Sequence, residues 1–334
     1  MNLGMWGKAL QGIPRPDKEE WQGLDVISRW LIATRAAVLI MTFLSAAIAG
    51  ILALKAGQFN AVLWGVMAIG LIFAHATNNL LNDLTDYRRG VDRDNYFRTQ
   101  YGPQPLESGF MTQRELLTYA GITGAIALAA GIYLVVMRGP LALLLLGLGV
   151  FFVLFYTWPL KYVALGELSV LLVWGPLMIG GGYFVVTGAW DWNVVIASLP
   201  YALGVTTVIF GKHIDKYLED RTKGIHTLPV VIGEKAGRYT VMSMMALQYL
   251  SVIYLVAIGF FTPVMLIVLF SLTLAPSVMK MFTKPKPESR PPDYPATAWP
   301  LYFVSMAFVH NRRFGLWYVG GLIVEVVLRA LHGF

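Results

Sequence analysis

Six of the ten aspartates in this 334-residue chain fall in or just beside two short windows. The first, NNLLNDLTDYRRGVD from Asn78 to Asp92, carries Asp83, Asp86 and Asp92, with Asp94 just beyond. The second, GKHIDKYLEDRTKGIHTLPV from Gly211 to Val230, carries Asp215 and Asp220 with Glu219 between them. Steps of three and four relate Asn79, Asn82, Asp83 and Asp86, so on a helix they line one face. Asp215 and Glu219 are also four apart. Carboxylates gathered this closely repel and raise one another's pKa unless cations intervene. Hard divalent cations answer that need. Magnesium binds through one or two carboxylates while keeping waters and taking phosphate oxygens. Two such windows suit a diphosphate, and Lys212, Lys216, Arg88, Arg89 and Arg93 stand beside them to neutralise phosphate charge or to meet lipid headgroups. Solvated charges trailing from helix ends would not repeat Asn and Asp at helical spacing beside an apolar run.

The elements that must carry these windows are membrane helices. Hydrophobic residues make up 57% of the chain and charged ones 13%, against about 25% charged in a soluble domain. Apolar runs at 30–54, 61–82, 115–137, 140–158, 165–187, 193–214, 239–260, 262–281 and 314–331 approach the length needed to cross roughly 30 Å of hydrocarbon. The spacing predicts an all-α, polytopic membrane protein of about nine transmembrane helices. The fifteen apolar residues from Ala296 to His310 read as a re-entrant or interfacial helix. Residues 1–29 form an N-terminal segment, and 30–334 a single transmembrane domain. The windows end spans two and six, an interval of four spans that points to two pseudo-repeated four-helix units.

With the N-terminus cytoplasmic, 22 of the 26 Lys and Arg residues lie in loops on its side. The positive-inside rule then places the N-terminus and both acidic windows in the cytoplasm of a multi-pass protein of the cell (inner) membrane. The formal charge of +7 does not indicate a nucleic-acid partner, because the basic residues are spread through loops between apolar runs. The absence of cysteine excludes disulfides and thiolate chemistry. The first 25 residues hold Asp17, Glu19 and Glu20 and no apolar core, unlike a cleaved signal peptide.

The Asn82-Asp83-x-x-Asp86 segment ending in Gly90-Val91-Asp92 resembles the first aspartate motif of the UbiA superfamily of intramembrane prenyltransferases. Asp215, Glu219, Asp220, Arg221 and Thr227-Leu228-Pro229 resemble its second motif. YTWPLK from Tyr156, LGEL from Leu165 and WGPLMIGGGYFVVTG from Trp174 strengthen the likeness. The last is similar to the fifth span of the 1,4-dihydroxy-2-naphthoate polyprenyltransferase (menaquinone) branch, which also has Arg at the place of Arg35. The chain departs from that branch where Gly211, Lys212, His213 and Ile214 replace an Asn pair and Arg. Asp215 and Asp220 are five residues apart rather than four, so Glu219 and Asp220 are both named for the second metal position.

The resemblance implies a UbiA-like helical bundle that transfers a polyprenyl group from its diphosphate to an aromatic acceptor, 1,4-dihydroxy-2-naphthoate in this branch. It implies Mg2+ held by Asn82, Asp83, Asp86, Asp92, Asp215, Glu219 and Asp220. Asp83, Asp86, Asp92, Asp215 and Tyr156 form the implied catalytic set, and Asn79, Asn82, Arg35, Lys161, Lys212 and Arg88 the substrate-binding set. Tyr156, Trp158, Trp174, Tyr183 and Phe184 are candidates to line a dry cavity around an allylic cation. Alternatives are the same chemistry on 4-hydroxybenzoate, homogentisate, a chlorophyllide-type alcohol or a lipid alcohol, or a cation-coupled transporter. Among smaller features, His75 reads as a buried hydrogen-bonded residue and Glu325–Arg329 as an ion pair. Gly180–Gly182 read as a close helix approach, and KPKPESRPP before Asp293 as a flexible cytoplasmic loop.

Overall fold

The computed structural model describes residues 2–91, 102–296 and 298–332. The described elements are helical, and eight helices are long and apolar enough to cross a membrane. They are α4 (Ala36–Lys55), α5 (Ala61–Arg88), α6 (Gln113–Arg138), α8 (Gly166–Thr187), α9 (Trp192–Asp215), α12 (Glu234–Ala257), α13 (Pro263–Phe282) and α14 (Phe303–His332). The remaining apolar run, 140–158, folds as α7 (Pro140–Phe155), whose 16 residues cover about 24 Å at 1.5 Å per residue. Short helices α1 (Leu3–Gln11), α2 (Lys18–Gly23) and α3 (Val26–Ala33) precede the spans. Two more, α10 (Tyr217–Thr222) and α11 (Leu228–Ile232), follow α9.

The chain divides into two compact units, Met1–Leu44 with Gly65–Pro159, and Ser45–Trp64 with Leu160–Phe334. In unit 1 the N-terminal segment is folded. The Asp25 carboxylate caps α3 by accepting from Ile27 N and Ser28 N, and also accepts from Trp6 Nε1 and Asn2 N. Met5, Ala9, Trp21 and Leu24 thereby bury with Leu80, Leu84, Leu116 and Ala120. The first span is broken, contrary to one run over 30–54: α3 stops at Ala33, and Arg35 takes a left-handed φ of 56° before α4 begins. α5 continues past position 82 to Arg88, so the first window up to that point is helical.

Unit 2 is built on α9, which is buried over most of its length against α8, α12 and α14. Close approach to α8 follows from glycine: a Cβ at Gly175 would stand 2.7 Å from Ala202 Cβ, and one at Gly180 3.1 Å from Val195 Cγ2. α8 winds wider around Pro176, which has no N–H to continue the ordinary ladder.

Three expectations are corrected here. Residues 303–310 are the first turns of the 30-residue α14, not a separate re-entrant helix. Glu325 pairs with Lys55 rather than Arg329: it accepts from Thr262 N and lies 3.9 Å from Lys55 Nζ, which also donates to Phe260 O. The KPKPESRPP stretch is tied down, with Lys286 on Asp215 and Arg290 Nη1 donating to Tyr294 O at 2.7 Å.

Candidate functional site

The first window hangs on Arg35. The break between α3 and α4 turns its guanidinium towards α5, where Nη2 donates to Asp83 Oδ1 at 2.9 Å and to Asn79 O at 3.1 Å, with Asn82 Oδ1 at 3.5 Å. Asn79 Nδ2 returns a bond to Thr34 O at 2.8 Å, and Asn82 Nδ2 donates to Thr157 Oγ1 at 3.0 Å. A non-glycine residue at positive φ costs of order 1–3 kcal/mol and persists only where its surroundings fix it. Here three contacts to one helix face do so. Asp83 and Asp86 are both buried, as helical spacing requires of neighbours on an inward face. Asp92 lies outside the described residues, as do Arg93 and Asp94. Arg88 is exposed and donates to Gln113 Oε1 at 3.0 Å, and Arg89 stacks 4.7 Å from the Trp158 ring centre.

The second window is held differently. α9 ends at Asp215, and both carboxylate oxygens accept from the first amides of α14: Oδ1 from Phe303 N and Oδ2 from Val304 N, each at 3.0 Å. A carboxylate at a helix N-terminus satisfies orphan donors and complements the helix dipole. Gly211, one turn earlier, makes this approach feasible, since a Cβ there would come within 2.9 Å of Val304 N and Cα. Lys286 Nζ lies 3.5 Å from Asp215 Oδ1 and donates to Asp215 O at 3.3 Å. Burial lowers the Lys286 ammonium below the usual lysine range, and Asp215 opposes that shift. Asp220 is buried and paired with Lys216 at 3.1 Å, while Glu219 is half-buried.

Of the remaining sequence-derived residues, Tyr156 follows the end of α7 and is half-buried. Lys161 lies in the next turn with its Nζ 5.5 Å from the Tyr162 ring centre, and half-buried Lys212 is in the last turn of α9. Tyr183 and Phe184 are buried and Trp158 exposed. His75 is buried and bonded to Thr42 Oγ1 at 2.8 Å, as its reading required.

Sequence reasoning missed Lys286, the capping of α14 by Asp215, and Glu167. Lys286 belongs to the stretch whose sequence reads as a flexible loop, and its one sequence sign is a lysine between Pro285 and Pro287. Glu167 stood within LGEL with no role.

The donors suit a hard cation. Asn82, Asp83, Asp86, Asp215, Glu219 and Asp220 offer oxygen alone, the ligand type that magnesium selects. Among the described residues no three carboxylate or imidazole groups converge to hold a metal by themselves.

The profile of the UbiA prenyltransferase family matches residues 43–323. The chain belongs to the UbiA prenyltransferase family. The 1,4-dihydroxy-2-naphthoate octaprenyltransferase of Bacillus subtilis is 24% identical over 256 residues, covering 75% of this chain and 81% of that protein. The UbiA prenyltransferase domain-containing protein 1 homolog of Drosophila melanogaster is 26% identical over 221 residues, covering 63% of this chain and 59% of that relative. Solved UbiA homologs share the fold. One from Aeropyrum pernix K1 superimposes with a TM-score of 0.62 at 22% identity, covering 85% of this chain and 97% of its own. One from Archaeoglobus fulgidus, bound to GPP and Mg2+, gives 0.58 at 15% identity, covering 90% and 99%. Family membership and eight long apolar helices make this a multi-pass membrane protein.

Proposed function

We propose that this member of the UbiA family transfers a polyprenyl group from its diphosphate to an aromatic acceptor, with Mg2+, and that the acceptor is 1,4-dihydroxy-2-naphthoate. The observation that carries the reading is the Arg35–Asn79–Asn82–Asp83 cluster: asparagine and carboxylate oxygens fixed on one face of α5. The names of the Bacillus subtilis and Escherichia coli relatives, both 1,4-dihydroxy-2-naphthoate octaprenyltransferases, support the acceptor. The Archaeoglobus fulgidus homolog with GPP and Mg2+ supports the donor and the ion.

In this reading Asn82, Asp83, Asp86 and Asp92 would hold Mg2+ at the first window, and Asp215 with Glu219 or Asp220 would hold it at the second. Mg2+, when bound, stabilises the charge that grows on the leaving diphosphate. Arg35 holds Asp83 in place through its 2.9 Å contact, and Lys161, Lys212 and Arg88 take up phosphate charge. The allylic C–O bond breaks with its electron pair leaving on the diphosphate. A carbon–carbon bond forms to the aromatic ring, which then loses a proton. Tyr156 offers its ring face to the cationic carbon, and the apolar helices exclude the water that would quench it. Residues 30–334 act as one transmembrane domain behind the N-terminal segment, with the N-terminus and both windows on the cytoplasmic side of the inner membrane.

Purified protein assayed with one radiolabelled prenyl diphosphate against a panel of acceptors tests this. Labelled prenyl-naphthoate product that vanishes with EDTA is the expected result. Product only with 4-hydroxybenzoate, homogentisate or an alcohol overturns the acceptor. Metal-dependent ion uptake into liposomes without any prenyl product overturns the chemistry.

A further inference from the structure

Glu167 lies outside both acidic windows, yet its side chain is buried to 1% exposure in the first turn of α8. Its Oε1 accepts from His213 Nδ1 at 2.6 Å and from Leu228 N at 3.2 Å. His213 stands two residues before Asp215, and Leu228 begins α11 eight residues after Asp220. One carboxylate oxygen therefore holds both ends of the segment that contains Asp215, Glu219 and Asp220. A second tie runs beside it, because Val163 and His226 form an isolated parallel bridge. The stretch from Val163 to Glu167 thus grips the chain beyond Asp220 at two nearby points, His226 and Leu228.

Between those ends the backbone is irregular. α9 stops at Asp215, Lys216 separates it from the single short helix α10, and the chain turns through Gly224 at a φ of 66°. Asp215 is held by the α14 amides and Asp220 by Lys216, and where the segment that carries them runs depends on how its flanks are fixed. A buried carboxylate is costly unless its partners repay the lost hydration. Here the partners are the two flanks of the window. Groups one step removed from a metal ligand orient it, and their loss typically weakens metal affinity.

We propose that Glu167 is a positioning residue for the second acidic window. Acting through the His213 imidazole and the Leu228 amide, it fixes where Asp215, Glu219 and Asp220 present their oxygens. The metal side of this role rests on the magnesium reading above. A purely structural pair would contribute stability alone, and its loss would leave metal affinity in the folded protein unchanged.

The test compares full-length wild type, Glu167→Ala, Glu167→Gln and His213→Phe in detergent, by amide hydrogen exchange and by Mn2+ titration followed by electron paramagnetic resonance. In Glu167→Ala, amides of residues 216–227 are expected to exchange about tenfold faster, the effect of losing a buried charge-assisted hydrogen bond. Half-saturating Mn2+ is expected to rise about tenfold or more. Glu167→Gln keeps an acceptor oxygen for both donors and is expected to stay within about threefold of wild type on both readouts. His213→Phe fills the space without the donor and reproduces the direction of Glu167→Ala should that variant not fold. Unchanged exchange over 216–227, or equally faster exchange over 78–91, overturns the proposal. Mn2+ binding by wild type that both Glu167→Ala and His213→Phe leave unchanged overturns this role alone. No Mn2+ binding by wild type overturns the magnesium reading and this role with it.

Discussion

The two acidic windows carry similar residues on different supports. The first, as far as Arg88, sits on one continuous helix, α5, with Arg35 from the break between α3 and α4 on Asp83. The spacing of its polar side chains is set by the helix itself, and Arg35, Thr34 and Thr157 bond to that ready-made face. The second lies where α9 ends, and its position is set by distant parts of unit 2: the first amides of α14, Lys286 and Glu167. The difference teaches that a carboxylate at a helix end needs long-range anchors. Substitutions in the second window should therefore disturb the fold and the chemistry together, while those on the α5 face separate the two more cleanly.

The largest expected effect tests that separation. Asp86→Asn should cut prenyl transfer on the order of a thousandfold, as loss of a charge-stabilising group does, with little change in thermal midpoint. Asp215→Asn should cut transfer comparably but also destabilise by about 1–3 kcal/mol, because an amide offers the α14 amides one oxygen instead of two. Kinetics and melting curves of both variants check this; equal midpoints would erase the contrast. Arg35→Gln should cost about 3 kcal/mol, the penalty of leaving buried Asp83 without its cation, measured by denaturation in detergent. Gly211→Ala should cost about 1–3 kcal/mol by pushing Val304 off α9. Combined with Asp215→Asn it should cost less than the sum, since both disturb one contact. The smallest effect is at Lys286. In EDTA, Lys286→Gln should melt below wild type by about 1 kcal/mol or less, and Mg2+ should narrow the gap by supplying the missing charge.

The spans were legible because lipid demands long apolar runs, and the first window because residues three and four apart on a helix must share a face. Helix ends were less so. The start of α14 at Phe303 has no local signal: Trp299, Pro300, Leu301 and Tyr302 are not capping types, and the cap comes from Asp215, 88 residues earlier. The break at Arg35 was hidden inside an apolar run, since a left-handed arginine leaves no mark in hydropathy. Lys286 and Asp215 are 71 residues apart, and Glu167 and His213 are 46 apart. No periodicity reports such pairs. Gly211 did show as a departure from the branch the sequence resembles, and its reason is plain only beside the backbone of Val304.

The proposed function has both acidic windows binding magnesium-bound diphosphate. Its most direct measurement is Mn2+ binding by electron paramagnetic resonance, with and without inorganic diphosphate, in wild type, Asp86→Asn and Asp215→Asn. Diphosphate should strengthen Mn2+ binding in wild type and fail to do so in either variant. Wild-type behaviour in one of the two variants would contradict the claim, because the diphosphate would then need only a single window.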